Sequence, residues 1–88
     1  MEYSALKELS KLGYVIQNPS LKDNTYYMVR HQTNKTRQIY IKCKPKAKHA
    51  IVECLTNFKP DSLTKVELKL IEQFIFEELD YSTYEFKK

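Results

Sequence analysis

The sequence predicts an α+β domain built as a helix, a short strand, a three-stranded antiparallel meander and a C-terminal helix. Both helices should lie on one face of the sheet and leave the other face to water. Three observations predict this. Apolar residues toward each end recur at helical spacing. The middle of the chain alternates apolar and polar residues at every second position. Gly13, Asn18-Pro19-Ser20 and Pro45 punctuate the stretches between them.

The elements follow in order. Residues 2–12 read as a helix, with Ala5, Leu6, Leu9 and Leu12 on one face and Glu2, Lys7, Glu8 and Lys11 around it. Gly13 stands where a left-handed C-terminal cap is wanted. Tyr14 to Gln17 form a short strand, which Asn18-Pro19-Ser20 ends, and Leu21 to Asn24 complete a loop. Thr25 to His31, rich in aromatic and branched side chains, is the first strand of the meander, and Gln32 to Lys35 turn the chain. The second strand, Thr36 to Lys44, puts Ile39, Ile41 and Cys43 on one side and Gln38, Tyr40, Lys42 and Lys44 on the other. A turn over Pro45 to Lys48 leads into the third strand, His49 to Leu55.

If Lys44 faces His49, then Cys43 faces Ala50, Ile41 faces Val52 and Ile39 faces Cys54, all on the apolar side. A slip of one residue would mix the faces, which favours this register. It separates the two cysteines by about 13 Å along the ladder, beyond the ~7 Å span of a disulfide. For the first hairpin the expected register sets Val29 beside Ile39 and brings Tyr26, Met28 and Arg30 to the open face. The second helix starts at Asp61 or Thr64, where Thr64 and Glu67 have capping-box spacing, and runs to about Leu79. Its apolar residues cover more than half of its circumference, and its acids read as its solvated face. Tyr81 to Lys88 form an edge strand, a packed arm or a mobile end.

With 88 residues the chain makes one domain, and 42% hydrophobic and 12% aromatic content fits a folded globule. No apolar run approaches the ~20 residues of a membrane span. The N-terminal segment reads as a helix rather than a secretory signal, so a cytoplasmic protein with free thiols is expected. Asn34-Lys35-Thr36 then reads as a turn, not a glycosylation site. The single glycine excludes a P-loop and a dinucleotide fingerprint, and no cofactor is expected. His31, Cys43, His49 and Cys54 lack the close spacing that anchors zinc, so no metal is expected either.

Charge is distributed unevenly. Residues 25–60 carry eight basic side chains against one acid, whereas residues 61–88 carry seven acids against four lysines. Lysine recurs at every second position from Lys42 to Lys48. A lysine and tyrosine face made of Arg30, Tyr40, Lys42, Lys44, Lys46 and Lys48 offers phosphates cations and offers bases a stacking surface. The expectation is therefore a small, basic, non-enzymatic module that binds nucleic acid or another polyanion. An antiparallel sheet with one wet face places lysine and tyrosine outward in any case.

Two alternatives stand beside it. The broad apolar face of the second helix, with Leu68, Phe76, Tyr81 and Tyr84, would suit a protein partner or a homodimer, as in a small regulator or inhibitor of phage or plasmid type. More remotely, His49 beside Lys44 and Lys48 would suit a metal-free ribonuclease. In element order alone the chain resembles the double-stranded-RNA-binding fold and a family of small toxin ribonucleases. It departs from such RNA binders at the start of the second helix, where Asp61-Ser62-Leu63-Thr64 replaces a lysine-rich turn.

Overall fold

The computed structural model describes residues 3–17 and 24–87. Helix α1 (Ser4–Lys11) leads into β1 (Val15–Gln17), β2 (Thr25–Gln32), β3 (Lys35–Lys44), β4 (His49–Thr56) and β5 (Lys59–Pro60). Helix α2 (Lys65–Glu72) continues as a π-helical turn, Gln73–Glu78, and β6 (Thr83–Phe86) closes the order. The expected loop at 18–23 and the expected helical residue Glu2 lie outside the described residues. The sheet runs β1-β2-β3-β4-β5, and β6 pairs with β4. Every pair is antiparallel except β4 with β6, which is parallel. A parallel pair needs a crossover connection, and α2 with its π turn supplies it. Among the described residues no helix is long and apolar enough to cross a membrane.

The α+β architecture is as expected, with both helices on one side of the sheet. The core lies between Ala5, Leu6 and Leu9 of α1, Ile71, Phe74 and Ile75 of the C-terminal helix, and Met28, Ile39, Ile41, Ala50 and Val52 of the sheet. Gly13 caps α1 at φ +104°, and a Cβ there would meet Arg30 Cδ at 3.2 Å. A side chain there would be strained by the backbone and would have to displace the arginine stem slightly. At the other end of α1 the Ala5 N–H donates to both carboxylate oxygens of Glu78 at 3.1 Å, a negative charge placed where the helix dipole favours it.

The second hairpin has the expected register, with Lys44 opposite His49 and Ile39 opposite Cys54. Both cysteines are free and buried. The first hairpin corrects the expectation. Met28, not Val29, pairs with Ile39, and Tyr26 pairs with Ile41. A two-residue turn at Thr33-Asn34, with Asn34 at φ 59°, fixes this offset. Tyr26 and Met28 therefore point into the core instead of to water, and Tyr27 and Val29 take the open face. Arg30 moves with them to the helix side.

One further strand, β5, was not expected, and one of the alternatives for the tail is selected. Asn57 and Phe58, at φ 49° and 66°, turn β4 back onto β5. This is a type I′ geometry that aromatic residues seldom adopt. The tail resolves as an edge strand: Tyr84 pairs with Ala50 and Phe86 with Val52, both on the core side of the sheet, while Thr83 and Glu85 lie on the other side.

The second helix begins at Thr64, which forms the full capping box with Glu67. Glu67, however, is not on a solvated face. Arg37 shares a sheet face with Ile39 and Ile41, and its side chain is 5% exposed against 2% for Glu67. Arg37 Nη2 donates to Glu67 Oε1 at 2.6 Å and Nε to Oε2 at 3.1 Å. Its Nη1 donates to Thr56 Oγ1 and to Asp61 Oδ2, and Nη2 also to the Ser62 carbonyl. Tyr14 Oη donates to Glu67 Oε2 at 2.5 Å and accepts from Arg37 Nε. Burial alone would raise the Glu67 carboxyl, but these hydrogen bonds outweigh it and hold the group below its ordinary range. Arg30 and Arg37 are cross-strand partners, an arrangement of like charges that ordinarily destabilises a sheet. Here Tyr14 separates their work: its ring carries the Arg30 guanidinium at 4.8 Å, and its hydroxyl meets Arg37.

Candidate functional site

The face of the sheet away from the helices carries Tyr27 and Val29 from β2, and Gln38, Tyr40, Lys42 and Lys44 from β3. Thr25 of β2, His49, Ile51, Glu53 and Leu55 of β4 and Thr83 and Glu85 of β6 share it. Lys42 and Lys44 are exposed, as expected from their alternation with Ile41 and Cys43. Lys46 and Lys48 follow in an exposed 3-10 turn, Pro45–Ala47, which Lys48 ends in the left-handed conformation at φ 48°. The Lys48 carbonyl accepts from the Ser82 N–H at 2.8 Å, tying this basic turn to the tail.

Among the described residues, the ion pairs leave these four lysines alone. Glu53 approaches Lys87 at 3.7 Å, Glu85 approaches His49 Nε2 at 3.5 Å, Glu8 pairs with Lys11, and Arg37 takes Glu67 and Asp61. The acids of the C-terminal third thus do not neutralise Lys42 or Lys44. Two arginines nevertheless drop out of the basic surface. Arg37 is spent within the interior, and Arg30, expected on this face, sits on the opposite side with Nη1 donating to the Leu12 carbonyl at 3.3 Å. The cause is the register of the first hairpin, which parity alone leaves open.

That same register supplies a residue the sequence reading missed. Tyr27 lies directly across from Tyr40, with ring centroids 4.9 Å apart and planes tilted by 37°. Gln38, also buried, donates from Nε2 to Tyr27 Oη at 2.9 Å and lies 3.5 Å from Tyr40 Oη. Burial, then the neighbouring Tyr27 and Glu53, raise the Tyr40 phenol, so it stays neutral at physiological pH. Beside Tyr40 the surface dips into a hollow of about 250 Å³ lined by Thr25, Tyr40, Lys42, Ile51, Glu53 and Lys87. The two-residue turn at Thr33-Asn34 was the signal that could have placed Tyr27 here.

His49 faces Lys44 as expected, and both its ring nitrogens look toward β6: Nδ1 lies 2.8 Å from Thr83 Oγ1, and Nε2 faces Glu85. The residues expected to take a protein partner are spread out. Leu68 lines a separate cavity of about 430 Å³ with Leu63, Cys54 and Phe86. Tyr81 is half-buried beside Cys43, its hydroxyl pushed up to about 12 by burial. Tyr84 is half-buried between Phe76 and Phe86, at centroid distances of 5.5 and 5.6 Å, and donates to Glu72 Oε2 at 2.7 Å. Among the described residues, no group of three or more His, Cys, Asp or Glu side chains is placed to hold a metal ion. No family model, no curated protein and no solved structure matches the chain.

Proposed function

We propose that the protein is a small basic binding module that contacts nucleic acid through the open face of its sheet. The observation that carries this is the juxtaposition on one face of the exposed Lys42 and Lys44, which no carboxylate among the described residues pairs, and the paired rings of Tyr27 and Tyr40. Cations supply sequence-independent attraction to phosphates, and flat rings accept bases. Lys46 and Lys48 extend the positive surface around the turn.

Fluorescence anisotropy with labelled oligonucleotides at several salt concentrations tests it. Four lysines on phosphates predict a slope of log affinity against log salt of about −3 to −4. Lys42→Glu with Lys44→Glu should abolish binding and leave the melting temperature unchanged, while Lys65→Glu with Lys69→Glu on α2 should leave binding intact. Affinity that stays flat as salt rises would refute the proposal.

A protein partner on the α2 and β6 side is the second reading. It draws on the partly exposed rings of Phe76 (38%) and Phe86 (47%), which flank Tyr84. Phe76→Ser should then turn a dimer into a monomer on gel filtration, and a wild-type monomer at high concentration would exclude the homodimer.

A further inference from the structure

Building on the proposed nucleic-acid contact, we infer that the bound strand is single, with one unstacked base seated against Tyr40 in the hollow beside Lys42 and its flanking phosphates on the lysines of β3 and the following turn. Three features of the face lead there.

The first is shape and chemistry together. The hollow has an aromatic wall in Tyr40, an aliphatic floor in Ile51 and cations at Lys42 and Lys87. A duplex turns its phosphates outward and keeps its bases stacked, so it has nothing flat and apolar to put into such a depression. A single strand can splay a base out and stack it on an aromatic ring.

The second is the carboxylate. Glu53 lines the same hollow, held 3.7 Å from Lys87 Nζ. A surface made for phosphate alone has no use for a carboxylate, which repels it. A base carrying an exocyclic amine does have a use for one, since Glu accepts a hydrogen bond from such an amine. Cytosine, adenine and guanine carry such an amine; thymine and uracil have none, and their carbonyl oxygens are repelled by the carboxylate.

The third is preorganisation. Gln38 is 7% exposed, and its amide lies under both phenols. Its Oε1 is buried without a hydrogen-bond partner among the described residues. Held from beneath, the rings lose little freedom when a base arrives. A buried acceptor left without a partner is a cost that plain core packing avoids and that binding sites tolerate.

The test is anisotropy at low salt with single-stranded oligo-dC, oligo-dA and oligo-dT of about 12 nucleotides, within the site size of one such domain, and with a duplex of the same length. The expected result is dC and dA binding at least ~10-fold more tightly than duplex and roughly 5-fold more tightly than dT. Tyr40→Leu should weaken single-strand binding by roughly 5- to 100-fold, Tyr40→Phe should retain it, and Glu53→Gln should erase the preference for dC over dT. Circular dichroism melts of each variant confirm that the domain is folded. Equal binding of duplex and single strand, or full affinity in folded Tyr40→Leu, overturns the inference. If Lys42→Glu with Lys44→Glu still abolishes binding in that case, contact with the phosphates survives and only the base seat is refuted. If no oligonucleotide binds wild-type protein at low salt, both fall together.

Discussion

Replacing Glu67 with Gln should be among the most damaging conservative changes available to this chain. The substitution keeps the size of the side chain and removes its charge, leaving the Arg37 guanidinium in a site where its side chain is 5% exposed. At 2.6 Å and an effective dielectric of about 20, the direct attraction is about 6 kcal/mol. Much of that offsets the desolvation of two ions, and breaking one partner of a buried pair typically costs 3–5 kcal/mol. Asp61 remains 3.0 Å from Nη1, so the lower end, about 3 kcal/mol, is expected. An 88-residue domain has roughly 4–13 kcal/mol of stability in all. With a urea m-value of about 1 kcal/mol/M, the midpoint should fall by about 2–3 M at unchanged m. The double change Arg37→Met with Glu67→Leu should cost less than the sum of its singles, because it removes both charges together. The pH dependence has a definite sign. Folding lowers the Glu67 carboxyl below its unfolded value near 4.3, so its contribution is present above that value and disappears as pH falls through the folded one. Wild-type protein should lose stability below about pH 4 more steeply than Glu67→Gln. A cost under ~1 kcal/mol for Glu67→Gln, the value of an exposed pair, would refute this account.

Other outcomes are open to simple measurement. Phe58 sits at φ 66° in a type I′ turn with 74% of its surface exposed. Phe58→Gly should therefore relieve a backbone cost of about 1–2 kcal/mol at the expense of about 0.5–1 kcal/mol of glycine entropy and raise the melting temperature by a few degrees; an unchanged or lower melting temperature would refute the strain. Burial raises the thiols of both Cys43 and Cys54. Native protein at pH 8 should react slowly with a thiol reagent, and both thiols should react rapidly in urea; a fast native phase would show that one of them reaches solvent.

Much of the frame was legible without coordinates because its signals are local. Ile39, Ile41 and Cys43 alternate with Tyr40, Lys42 and Lys44, so strand, face and exposed lysines follow from parity alone. The Thr64 and Glu67 spacing offered one of two starts for α2, the one the structure takes, and Gly13 marked the end of α1. Arg37 was legible in principle too, since it shares the parity of Ile39, but a charged residue at an inward position invites the assumption that it lies beyond the core. What hid it was its partner: Glu67 is 30 residues away in the chain, and only packing α2 on the sheet brings the two together.

Alternation, caps and the lysine run belong to the sequence by itself, because each depends on backbone geometry within a few residues. The register of β2 on β3, the parallel pairing of β6 with β4 and the internal consumption of Arg30 and Arg37 were decided by tertiary structure. Sliding a strand by one residue changes nothing locally; it exchanges Tyr26 for Tyr27 on the open face, and only the turn at Asn34 and the need to bury Met28 against Ile39 select between them.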